Sequence, residues 1–122
     1  MNKEKNTDLQ LRGIKAAKQY LRRRGMEVLT DEPFECEAGT IEIIAKDEDG
    51  ALCFIGVTVA ESSTPFPACK DEDRRMSLEA IAMSFLAVRG DEYVDCQVRF
   101  DRVDIRVVSD DRALIRHHIN ML

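Results

Sequence analysis

One carboxylate, two hydroxyls and a glycine share a face of a strand hairpin. Of all residues in the chain, their types and spacing come nearest to a reactive site. The hairpin runs Gly39-Thr40-Ile41-Glu42-Ile43-Ile44-Ala45, then Lys46-Asp47-Glu48-Asp49-Gly50, then Ala51-Leu52-Cys53-Phe54-Ile55-Gly56-Val57-Thr58-Val59. Both arms are β-branched and apolar, with the period-2 pattern of strands. A three-residue loop Glu48-Asp49-Gly50, with Gly50 in the left-handed region, pairs Asp47 with Ala51. Counting back, Glu42 pairs with Gly56 and Thr40 with Thr58, while Ile41, Ile43, Ile55 and Val57 point the other way. A two-residue loop would shift the register by one and scatter this set. Glu42 is a hard oxygen ligand of the kind that suits Mg²⁺ or Mn²⁺. A single carboxylate holds Mg²⁺ poorly, because the ion keeps most of its waters and needs further partners.

The frame of this hairpin resembles the YraN-like family of small bacterial proteins. The family pattern reads roughly Gly-Glu-Ile-Asp-Leu-Ile-Ala, a short turn, then Phe-Val-Glu-Val-Lys. The flanks agree as well. Ala16-Ala17-Lys18-Gln19-Tyr20-Leu21-Arg22-Arg23-Arg24-Gly25 is similar to the family's opening helix, and Arg99-Phe100-Asp101 and Ile115-Arg116-His117-His118-Ile119 are similar to its last strands. The similarity spans about residues 11 to 120. It implies a restriction-endonuclease-like core, near the archaeal Holliday-junction resolvases. It also implies a divalent metal held by an Asp on the first strand and a Glu on the second, with a Lys assisting the attacking water. The departures fall on that chemistry. The Asp position is Glu42, the Glu position is Gly56, the Lys position is Thr58, and the glutamate before Ile41 is Thr40. The opening helix has Gly13-Ile14 where the family has Gly-Glu. The resemblance is therefore to a nuclease with a degenerate motif, a pseudoenzyme.

The elements that must position these residues follow from periodicity. Residues 1–7 read as a disordered tail, and 8–122 as one domain. Thr7 or Asp8 caps a helix that ends near Gly25, with an apolar stripe of Leu11, Ile14, Ala17 and Leu21. Its other face carries Arg12, Lys15, Lys18, Arg22 and Arg23. That face is either a solvated surface with cations at the helix C-terminus or a phosphate-contacting patch. Glu27-Val28-Leu29-Thr30 reads as a first strand and Asp31-Glu32-Pro33 as its break. After the hairpin, residues 60–70 read as a loop. Asp71 or Asp73 caps a second helix to Arg89 with Leu78, Ile81, Ala82, Phe85 and Leu86 on its apolar face. Met76 and Met83 lie off that stripe and read as gap-fillers. Val94, Cys96, Val98 and Phe100 alternate, and the phase then shifts to Val103, Ile105 and Val107, which suggests a bulge near Asp101-Arg102. Residues 113–116 form a last strand ending in His117 and His118, which must point to opposite faces. The fold class is α/β, a mixed sheet (α+β) in the order α-β-β-β-α-β-β.

Composition sets the remaining bounds. The 122 residues carry a net charge of −5, with a pI near 5.1. That balance argues mildly against tight non-specific nucleic-acid binding, though local clusters can override it. No apolar run is long enough to span a bilayer, and the polar start lacks a signal h-region, so the expected place is the cytoplasm. Cysteines at 36, 53, 69 and 96 have no zinc spacing and read as inert. No cofactor is expected, Mg²⁺ or Mn²⁺ entering only if the chain is an active nuclease. No small-molecule substrate is evident.

Three functions compete. The first is a non-cleaving nucleic-acid binder, contacting DNA or RNA through Lys15, Lys18, Arg22, Arg23, Arg74 and Arg75. The second is a module that binds another protein. The third is an endonuclease with a rearranged metal site, in which Glu42 works with a displaced carboxylate such as Glu61 or Glu79.

Overall fold

The computed structural model describes residues 3–61, 71–93, 95–109 and 111–120, with side chains from Asp8 in the first helix and from Met76 in the second. Helix α1 (Lys3–Arg23) stops where Gly25 takes a φ of +86°. There the Gly25 N–H donates to the Arg22 carbonyl and the Met26 N–H to the Leu21 carbonyl, both at 3.0 Å. These two bonds satisfy carbonyls that the last helical turn leaves open. Met26 and Leu21 are buried in one cluster, so an apolar contact seals the reversal. The helix starts at Lys3, ahead of the Thr7 or Asp8 cap that the sequence suggests. Ile14, Ala17 and Leu21 are buried as expected, whereas Leu11 is exposed.

Among the described residues seven strands follow: β1 (Glu27–Val28), β2 (Phe34–Cys36), β3 (Gly39–Ile41), β4 (Ile43–Lys46), β5 (Leu52–Glu61), β6 (Val98–Ser109) and β7 (Arg112–His118). Helix α2 (Asp71–Arg89) and a 3-10 turn (Gly90–Glu92) connect β5 to β6. The main sheet has the order β1-β4-β5-β6-β7. Its pairs are antiparallel except for β5 and β6, which run parallel through the α2 crossover. The class is mixed α/β as expected, but α-β-β-β-α-β-β is too simple an order. The expected first arm of the hairpin is broken at Glu42, and β3 pairs instead with β2 in a separate two-stranded sheet.

The turn of the main hairpin forms as its sequence dictates. Gly50 has a φ of +90°, the Asp47 N–H donates to the Ala51 carbonyl, and Asp47 Oδ1 accepts the Ala51 N–H at 2.8 Å. The register that follows pairs Lys46 with Leu52 and Ile43 with Ile55.

Both faces of β4 and β5 are buried. Residues Ile14, Ala17 and Leu21 of α1 pack on Ile43, Ala45, Cys53, Ile55, Val57, Val103 and Ile105. Residues Leu78, Ile81, Ala82 and Phe85 of α2 pack on Ile41, Ile44, Leu52 and Phe54 on the other face. Two-sided burial is why β4 and β5 read as continuous apolar runs. Ile41 and Ile43, expected on one face, enter opposite cores because the chain bends at Glu42. Met76 and Met83 are exposed and fill no gap.

The expected bulge near Asp101-Arg102 is absent. β6 pairs residue for residue with β5, from Leu52 opposite Val98 to Glu61 opposite Val107. The phase shift in the sequence marks a change of face without a bulge: Phe100 packs in the α2-side core and Val103 and Ile105 in the α1-side core, while buried Asp101 holds the α1-side position that the apolar set would otherwise take first. The irregularity lies farther on, between Val107 and Ser109. β5 also extends to Glu61, so residues 60 and 61 are strand rather than loop.

Candidate functional site

Glu42 sits at the bend where β3 leaves the main sheet. Continued antiparallel pairing would bring a β3 carbonyl to the Val57 N–H. That partner is gone, and Glu42 Oε1 accepts the Val57 N–H at 2.7 Å in its place. On the same residue, Gln10 Nε2 donates to the Val57 carbonyl at 3.3 Å. Two side chains thus complete the ladder where the backbone departs, as buried backbone groups require. Glu42 and Thr40 line a cavity of about 380 Å³ with Gln10, Leu11, Ile14, Pro33 and Glu35.

Of the other motif positions, Thr40 shares this cavity with Glu42, and Gly56 and Thr58 do not line it. Thr40 pairs with Glu35 in the small sheet rather than with Thr58. Ile55 and Val57 face α1, so alternation turns Gly56 and Thr58 toward the α2 face. Gly56 lies opposite Arg102 and Thr58 opposite Asp104 on β6. Glu61 ends β5 opposite Val107, and its carbonyl accepts a hydrogen bond from Arg106 Nη1 at 3.0 Å. Glu79 is exposed on α2. Among the described residues, no group of three or more His, Cys, Asp or Glu side chains is arranged to hold a metal ion.

The two adjacent histidines mark features that the sequence did not expose. As alternation requires, they part to opposite faces, and each meets an aspartate of β6. His117 Nε2 lies 2.9 Å from Asp101 Oδ2 beneath α1, and His118 Nε2 lies 2.9 Å from Asp104 Oδ2 on the α2 face. The His117 side chain is 5% exposed and that of Asp101 0%. Asp101 also takes two hydrogen bonds from Arg99, each at 3.0 Å, and the Asn120 N–H at 2.9 Å. Arg99 in turn holds Asp47 at 2.6 Å. Burial acts to raise the Asp101 carboxyl, but the bonds from His117, Arg99 and Asn120 outweigh it and hold the group below the usual range. Tyr20 of α1 meets the His117 ring edge to face, with centroids 5.6 Å apart.

On the α2 face, Arg102, Asp104, Arg106, Leu114, Arg116 and His118 line a cavity of about 450 Å³. Only the β6–β7 register assembles this set. Arg102 is opposite His118, Asp104 opposite Arg116, and Arg106 opposite Leu114.

The cations expected to meet nucleic acid are divided. Lys15, Arg22 and Arg23 are exposed on α1. Lys18 donates to the Asp31 carbonyl at 2.7 Å, which ties α1 to the loop after β1. The side chains of Arg74 and Arg75 lie outside the described residues. No helix among the described residues is long and apolar enough to cross a membrane.

The model of the uncharacterised protein family UPF0102 matches residues 15–107. A UPF0102 protein of Geobacter sulfurreducens is 27% identical over 124 residues, which covers 94% of this chain and 88% of the relative.

Proposed function

The chain belongs to the uncharacterised protein family UPF0102, the YraN-like group that its sequence resembles, and on that premise we propose that it is a non-cleaving nucleic-acid-binding module with a degenerate restriction-endonuclease-like core. The observation that carries this reading is the bond between Glu42 Oε1 and the Val57 N–H. The one carboxylate left from the nuclease motif has a structural task, closing a broken strand ladder. Gly56 and Thr58 supply neither the second carboxylate nor the cation that in-line phosphate chemistry needs. What remains is a fold that can meet phosphates without hydrolysing them.

A gel assay tests this with purified protein and labelled branched, double-stranded and single-stranded DNA, in low salt with and without Mn²⁺. The expected result is a retarded, uncut band whose formation needs no metal and weakens steeply with salt. Mn²⁺-dependent cleavage that disappears in Glu42→Ala would overturn the reading in favour of a rebuilt site drawing on Glu61, Glu79 or another carboxylate. Absence of binding at low salt would favour a protein-interaction module. That second reading draws on the net charge of −5 and on Met76, Met83 and Val88, which stand exposed on α2.

A further inference from the structure

The cavity on the α2 face of β6 and β7 combines features that the motif positions lack. It gathers Arg102, Arg106 and Arg116 around Asp104, the one carboxylate among the described residues that line it, in a chain whose overall charge is −5. Asp104 holds two of its neighbours in place. Arg102 Nη2 donates to Asp104 Oδ2 at 3.1 Å, and His118 Nε2 lies 2.9 Å from the same oxygen. Arg102 Nε and Asp104 Oδ1 are 2.9 Å apart, yet each is buried without a directed hydrogen bond. The Arg102 and His118 side chains keep 32% and 27% of their surface, so both reach the solvent side of the cavity. Leu114 and Ile115 supply apolar wall beside them.

We infer that this cavity is a phosphate-binding site that receives the backbone of a nucleic-acid strand, with Arg102, Arg106 and Arg116 as donors. The inference rests on the nucleic-acid reading above and moves the contact from α1 to the opposite face of the sheet. The chemistry is that of fixed guanidinium groups meeting a phosphodiester, where planar forks bind two oxygens at once. Asp104 acts as a positioning residue. It offsets one positive charge and leaves the site with a net excess. The volume of about 450 Å³ suits one nucleotide unit. The site also adjoins the motif positions, because Gly56 is opposite Arg102 and Thr58 opposite Asp104. A strand bound here would pass the positions at which the resemblance expects the second-strand Glu and Lys.

The test is an NMR titration of ¹⁵N-labelled protein at low salt with three probes used separately: a short single-stranded oligonucleotide, a mononucleotide and inorganic phosphate. It is run on the parent chain, on Arg116→Ala, whose side chain is exposed, and on Lys15→Ala with Arg22→Ala as an α1 control. The oligonucleotide is expected to shift amides of residues 102–106 and 114–118. Arg116→Ala should weaken its binding roughly tenfold and lower the slope of log affinity against log salt by about one, while the α1 control leaves both unchanged. Shifts confined to α1, with Arg116→Ala binding as the parent does, would overturn the site and leave the nucleic-acid reading standing. Shifts at the cavity with mononucleotide or phosphate but not with oligonucleotide would support the phosphate site and sink the nucleic-acid reading. No shift at the cavity with any probe would overturn the inference.

Discussion

Asp101 and His117 meet at 2.9 Å across β6 and β7, beneath helix α1 and closed off from solvent. A carboxylate so placed is tolerable only because every direction around it holds a donor. Asp101→Asn is expected to cost about 3–5 kcal/mol, the loss typical of breaking a buried pair from one side. Urea unfolding measures it, and a loss below about 1 kcal/mol would refute the argument, being the scale of an exposed pair. The pH dependence has a definite sign. The folded carboxyl lies below its ordinary value, so its contribution is complete above the unfolded value of about 4 and is withdrawn as pH falls through the folded value. The parent chain should lose stability across that acid window, and Asp101→Asn should lose less of what it has.

Glu42 separates a structural role from a metal role by a conservative change. Gln keeps an oxygen for the Val57 N–H, and Ala does not. Glu42→Ala is expected to cost about 1–3 kcal/mol, the penalty for stranding a buried backbone donor, with Glu42→Gln much nearer the parent. Equal losses in thermal melts of the two variants would show that the charge, not the acceptor, matters at this bend.

Gly13 sits where α1 comes closest to β5. A methyl group there would collide with Val59. In an exposed helix Gly→Ala gains about 1 kcal/mol, but overpacking costs about 1–3 kcal/mol. Gly13→Ala should therefore destabilise, and adding Val59→Ala should recover part of the loss. A stabilised single variant in chemical denaturation would contradict this packing.

Cys53 is buried, and burial pushes its thiol up to about 12. The thiolate is the reactive form, so Cys53 should resist alkylation near pH 8 while the partly exposed Cys36 and Cys96 are modified. Peptide mapping after a brief exposure to iodoacetamide checks this. Cys53 labelling at the pace of Cys36 would mean that this part of the core opens readily.

Local chemistry made the turn of the main hairpin readable. Asp47 and Gly50 dictate the loop, and the register from Ile43 to Leu52 follows from it. The bend at Glu42 was not readable. Thr40 and Ile41 are good strand residues on either reading, and only pairing with β2 removes them from the main sheet. Asp101 misled for a related reason. Arg99 is two residues away, but Asp47, His117 and Asn120 come from distant parts of the chain. Without them a charged residue in a strand reads as a break. The cavity around Asp104 was hidden because its members meet only through the pairing of β6 with β7.

The single parallel pair in the sheet bears on how the molecule assembles. β4 with β5 and β6 with β7 are two hairpins closed by short turns, whereas β5 and β6 join residues as remote as Leu52 and Val98. Short loops cost little entropy to close, and distant pairings are slow to form. The hairpins can therefore form early, with α2 as the tether that later brings them edge to edge. Gly56 meets Arg102, and Thr58 meets Asp104, only at that final docking. A nascent chain lacking β6 would hold the motif positions Gly56 and Thr58 and none of the arginines of the cavity.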